Sequence, residues 1–283
     1  MLKNLKKLNK IALIGVLIIA SIFVTGCVEQ EVQPSVEVAE PEPEPEPVIF
    51  YERSENLREN PAAGWTELLK GNQRFLAGDK AIRDWDGLRT KHAEGQWPFV
   101  SVIYCSDSRV APEVLFDQGM GDVFGVRTAG NSVDGLALGS LEFSVHALGA
   151  PLIVVMGHEG CGALHSTVAH QKGTLDLPFA IDKLVYVVEE AIPAVDKAIN
   201  TTEKTGVELG EHATKLHVTF VAQEIITYAE GIKELIEQNE VMVIGAKSMF
   251  DGTINEMFTV TSDNLEDFMA TPGCSSGGCA CCS

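Results

Sequence analysis

The sequence predicts an α/β fold, a mostly parallel β-sheet flanked by helices on both faces, on three observations. Between residues 62 and 268 short apolar runs alternate with longer segments of helical periodicity, Gly and Pro separate one from the next, and the short runs are continuously apolar. A strand that alternates polar and apolar residues has one wet face, whereas an unbroken apolar strand is buried on both, as crossover helices over a parallel sheet require. Taken in order, Trp65, Leu68, Leu69, Phe75 and Leu76 form a helical stripe, and the runs at 99–104, 123–126, 152–156 and 241–246 are the strands. Residues 136–148, 163–170, 181–199 and 216–236 read as helices. The third is expected to break at Pro193, where an amide donor is missing, and the fourth near Gly231.

The 283 residues carry 21 Lys and Arg against 40 Asp and Glu, a net charge of -19, and 45% of them are apolar. Such a composition folds. It also argues against nucleic acid as a partner, because phosphate binding needs clustered cations. Lys3, Lys6, Lys7 and Lys10 precede an apolar run at 11–24 that is shorter than a membrane-spanning helix, and Val-Thr-Gly-Cys at 24–27 closes it. This reads as an export signal rather than an uncleaved membrane anchor, and the four residues ending at Cys27 resemble the lipobox of prokaryotic lipoproteins, where cleavage leaves the cysteine as the lipid-bearing residue. The expected organisation is a signal peptide at 1–26, a lipid-anchored acidic Pro/Glu tether at 27–61, a zinc-binding domain at 62–268 and a flexible Cys/Gly/Ser tail at 269–283. The protein is then extracytoplasmic and anchored to a membrane.

In parallel sheets ligands collect at the carboxyl ends of the strands. The first strand runs into Cys105-Ser106-Asp107-Ser108-Arg109 and the third into His158-Glu159-Gly160-Cys161. Cys105, Asp107 and Arg109 are spaced by two, so an extended backbone turns them to one side. His158 and Cys161, three apart across a strand-to-helix turn, can reach one ion. Two thiolates and an imidazole make a zinc site with its fourth position open, the mark of a catalytic rather than a structural centre. Asp107 is placed to accept a hydrogen bond beside that position, and Arg109 to hold the carboxylate in orientation and off the metal.

These residues, Cys-Ser-Asp-Ser-Arg-Val at 105–110 followed by His158, Cys161 and Gly162-Ala163, resemble the β-class carbonic anhydrases. Leu-Lys-Gly-Asn-Gln-Arg-Phe at 69–75, Phe-Asp-Gln-Gly at 116–119, Arg-Thr-Ala-Gly-Asn at 127–131 and Leu-Gly-Ser-Leu-Glu at 138–142 extend the resemblance over about 62–260. It implies a β-carbonic anhydrase-like fold, Zn2+ held by Cys105, His158 and Cys161, an Asp107 and Arg109 pair beside the metal, and reversible hydration of carbon dioxide to bicarbonate by zinc-bound hydroxide. It further implies Gln118 as a bicarbonate-binding residue and a homodimer or assembly of dimers, with the helix near Trp65 on the partner subunit. Glu159-Gly160 and Thr128 depart from the commonest family choices.

Other readings are weaker. A cysteine phosphatase needs a longer phosphate-cradling loop than the three residues between Cys105 and Arg109, and the glycines at 119, 121 and 125 miss dinucleotide spacing. His165 reads as a surface histidine rather than a proton shuttle, and His92, His146, His170, His212 and His217 as surface or packing residues. Cys274, Cys279, Cys281 and Cys282 in the tail suggest a non-catalytic, lipid-anchored metal-binding protein as one rival. A zinc lyase or hydrolase acting on carbonyl sulfide or carbon disulfide is another.

Overall fold

The computed structural model of the chain describes residues 50–51, 55–174 and 184–270. The expected signal peptide with Cys27, most of the expected tether and residues 271–283 of the expected tail lie outside the described residues. A 3-10 turn at Glu55–Arg58 leads into α1 (Pro61–Ala77). Asn60 caps α1 by accepting from the Ala63 N–H, and Gly78 ends it at φ 72°. The fold therefore begins before residue 62: Leu57 is buried in the core and the Tyr51 N–H donates to the Ile82 carbonyl.

Then follow α2 (Trp85–His92), β1 (Val100–Cys105), α3 (Pro112–Leu115), β2 (Val123–Thr128), α4 (Gly135–Glu142) with a π-turn extension at Phe143–Ala147, and β3 (Leu152–His158). The second half comprises α5 (Gly162–Gln171), α6 (Leu184–Thr201), α7 (Gly206–Tyr228), α8 (Glu230–Glu237), β4 (Met242–Ser248), β5 (Ile254–Val260) and α9 (Leu265–Ala270). The sheet order is β2-β1-β3-β4-β5, parallel except for β5, which pairs antiparallel with β4. Two expectations are corrected. The strand β5 was not foreseen, because half-exposed Ile254–Val260 lacks the continuous apolar run of its neighbours. The helix α6 runs unbroken through Pro193, whose ring faces solvent, so the lost amide bond falls on the wet side of the helix.

Side chains alternate across the sheet. Ile103, Ile153, Val155 and Val243 face α4, α7 and α8, while Val102, Tyr104, Val154 and Ile244 face α1 and Phe116. A third cluster joins α5, α6 and α7 and contains Cys105 and Cys161. From β1 the chain turns outward to the edge strand β2, then crosses back so that β3 lies on the other side of β1. The carboxyl ends of β1 and β3 are thus neighbours at the point where the strand order reverses, the place such sheets leave open to a ligand.

On α7, burial pushes the Glu224 carboxyl up to about 7, and the nearby Glu190 of α6 adds to the shift. A folded value above the unfolded one stabilises the fold below pH ~4.3, and that contribution is lost as pH rises through about 7. Glu224→Gln is therefore expected to raise Tm relative to the wild type at pH 8 and to leave it nearly unchanged at pH 4.5, as read by thermal melts at both values.

Candidate metal centre

The two strand ends deliver the three donors. Cys105 is the last residue of β1, His158 the last of β3, and Cys161 immediately precedes α5. All three are buried, and their ligand atoms lie within 4.8 Å of one another. Ligands around a tetrahedral zinc stand roughly 3.5–3.8 Å apart, given bonds of about 2.0–2.3 Å. Nδ1 of His158 donates to the Glu159 carbonyl at 2.8 Å. The imidazole is thereby held in the tautomer whose Nε2 carries the lone pair, and that buried Nε2 has no hydrogen-bond partner. A buried, unpaired imidazole nitrogen beside two thiols fits a soft-to-borderline cation such as zinc.

The Cys105 thiol is pulled down to about 4, chiefly because the Cys161 thiol donates to it. Burial opposes the shift, and the neighbouring His158 side chain and then the N–H groups of Asp107 and Gly130 assist it. Cys161, as the donor, is pushed up correspondingly. The Gly130 N–H reaches the Cys105 sulfur at 3.3 Å. Gly130 sits at φ 70°, and a Cβ there would stand 3.1 Å from that of Ala163, so this approach to the sulfur requires glycine.

Asp107 and Arg109 form a forked pair. Oδ1 accepts from the Arg109 backbone N–H at 3.0 Å and from Nε at 2.8 Å, and Oδ2 from Nη2 at 2.6 Å. The guanidinium hydrogen bonds hold the Asp107 carboxyl well below the usual carboxylate range, so it is an anion at any working pH. The Arg127 guanidinium pins the turn that carries the pair. It donates to the carbonyls of Cys105 (3.3 Å), Ser106 (3.2 Å), Asp107 (2.7 Å) and Val110 (3.3 Å). A cavity of about 440 Å³ opens beside these groups, with Phe75, Val110, Leu115 and Phe250 among its apolar walls and Arg109, His158, Ser248 and Asp251 as polar ones.

Two further residues, Arg127 and Glu211, support the site without having been singled out from sequence. Arg127 opens the Arg-Thr-Ala-Gly-Asn stretch, which was a signal available to find it. Glu211, from α7, accepts the Gly160 N–H at 2.7 Å and pairs with Lys247 of β4, and no local pattern announces it. His165 also faces Glu211, at 3.2 Å, and does not line the cavity. Gln118 is buried beneath α1 and donates to the Phe116 carbonyl at 2.7 Å, away from the cavity lining of this chain. Trp65 is buried within its own chain, where its indole donates to Glu256 at 2.7 Å.

Comparison with known proteins agrees with this architecture. Residues 100–253 match the family model described as carbonic anhydrase. Carbonic anhydrase 2 of Mycobacterium tuberculosis is 36% identical over 198 residues, which cover 68% of this chain and 90% of that protein. The fold is similar to a Coccomyxa β-carbonic anhydrase solved with acetazolamide, at a TM-score of 0.56 and 24% identity, over 64% of this chain and 81% of that one. It is also similar to a tetrameric β-carbonic anhydrase of Sordaria macrospora, at a TM-score of 0.51 and 24% identity, over 60% and 85%.

Proposed function

The chain belongs to the β-carbonic anhydrase family, and on that premise we propose how its residues carry out the reversible hydration of carbon dioxide. The cofactor is zinc, and Cys105, His158 and Cys161 are the residues that would hold it. Zinc, when bound with a free position, supplies the Lewis acidity that makes a hydroxide nucleophile available near neutral pH. The observation that carries this reading is the unpaired His158 Nε2 buried within ligand distance of two sulfurs.

The remaining work falls to the protein. Arg109 fills both lone pairs of Oδ1 and one of Oδ2, and the remaining Oδ2 lone pair can accept a hydrogen bond from the attacking oxygen and turn that oxygen's lone pair toward carbon. The fork also keeps Asp107 from swinging onto the metal and closing the open position. The apolar walls Phe75, Val110, Leu115 and Phe250 suit a small non-polar substrate, and Arg109 at the rim suits the departing bicarbonate anion.

The setting of the enzyme is part of the proposal. The basic head, apolar run and Cys27 support an exported, lipid-anchored protein held away from the membrane by its Pro/Glu tether. Exposed Leu136, Phe143 and Val207, together with the tetrameric Sordaria relative, support a homodimer or assembly of dimers.

Asp107→Asn is expected to keep full zinc while losing roughly 10- to 1000-fold in hydration rate, if the orienting hydrogen bond is worth about 1.4–4 kcal/mol in the transition state. Stopped-flow hydration with zinc analysis on the same sample checks it, and full activity in that variant contradicts the role given to Asp107. For the anchor, mass spectrometry of the mature amino terminus should find a lipid-modified Cys27 as the first residue. An intact leader with an unmodified Cys27 contradicts the anchoring.

A further inference from the structure

We propose that Phe250 is a positioning residue for the hydration reaction: its ring holds Arg109 in the conformation that grips Asp107, and Glu159 in turn holds Phe250. The inference rests on the role given above to the Asp107 and Arg109 pair.

The Arg109 side chain is 53% exposed. Side-chain entropy and solvent screening weaken an exposed ion pair, so packing on the guanidinium bears on how firmly this fork is held. The Phe250 ring lies over the guanidinium, its centroid 4.5 Å from Cζ, so one face of the cation is covered by an aromatic face while its edge forks onto Asp107.

Phe250 is itself 57% exposed, so its position depends on a few specific contacts. The loop between β4 and β5 fixes its backbone: the Met249 N–H donates to the Thr253 carbonyl, the Gly252 N–H to the Met249 carbonyl, and Asp251 Oδ1 accepts from Thr253 N–H and Oγ1. The Phe250 N–H donates to Glu159 Oε2 at 2.8 Å. Its ring rests on Gly160, where a Cβ would stand 2.6 Å from the ring tip and where φ is +60°. Glu159 and Gly160 are the two residues between His158 and Cys161. One of them supplies the acceptor and the other the flat seat for the same aromatic residue. The loop between the ligands is thereby coupled through Phe250 to Arg109 and so to Asp107. The ring is also a wall of the cavity that His158 lines.

The test compares an aromatic with an aliphatic replacement in the full chain. Phe250→Leu keeps apolar bulk but removes the π face. It is expected to move the Arg109 Nε–H resonance in 1H–15N spectra away from its ring-shielded position and to speed its exchange with water. The same variant should lower kcat/KM for hydration roughly three- to tenfold with zinc content unchanged. Phe250→Trp, which restores an aromatic face, should recover both the resonance shielding and most of the rate. Glu159→Ala, which removes the acceptor from the Phe250 N–H, should change both in the same direction as Phe250→Leu. An Arg109 signal unmoved in Phe250→Leu, or a Trp variant as impaired as the Leu variant, overturns the proposal. A zinc-loaded wild type without hydration activity would instead overturn the functional reading, since the NMR measurement reads Arg109 independently of turnover.

Discussion

The crossing of the chain from β2 over β1 to β3 is the constraint from which the site follows. It makes β1 and β3 parallel neighbours, with Tyr104 opposite Met156, so the residues that end the two strands emerge side by side. Only this adjacency lets a sulfur from one strand and an imidazole from the other face the same point. The interior of the sheet is closed by side chains on both faces, which leaves the reversal of strand order as the natural opening. Everything beyond the ligands serves to hold these two strand ends and the turns that leave them.

That holding is done by charge and backbone together. Arg127 gathers four carbonyls of the turn after β1, and the Gly130 N–H points at the Cys105 sulfur. Glu211 grips the turn after β3 through Gly160 and is itself paired with Lys247. These bonds, from an exposed Arg127 and a partly buried Glu211, use protein groups alone to hold the two turns. The Asp107 carboxylate is likewise tied by an exposed cation, Arg109, which is why the packing on that cation matters.

Much of this was legible in the sequence because strand and turn geometry are local. A spacing of two in Cys105, Asp107 and Arg109 and of three in His158 and Cys161 translates directly into which side chains share a side, and the continuous apolar runs located β1 to β4. Legibility ended where the partner came from far along the chain. Glu211 lies 51 residues beyond Gly160, and Phe250 91 beyond Glu159, with no motif to announce either contact. Local rules also failed where solvent or an edge relaxed them. Pro193 did not end α6, because its ring faces water, and β5 was hidden by the mixed polarity that an edge strand tolerates. The packed segment at Glu55–Arg58 carried too few apolar residues to be separated by composition from the tether before it.

The central claim is that one zinc is held by two sulfurs and one imidazole with the fourth position left to solvent or substrate. Zinc K-edge X-ray absorption on the full chain tests it most directly, because Cys274, Cys279, Cys281 and Cys282 are then present to compete with Cys105 and Cys161. The account predicts a first shell of two sulfurs at about 2.3 Å and two nitrogen or oxygen neighbours at about 2.0–2.1 Å. A shell of three or four sulfurs, or one without sulfur, would contradict it.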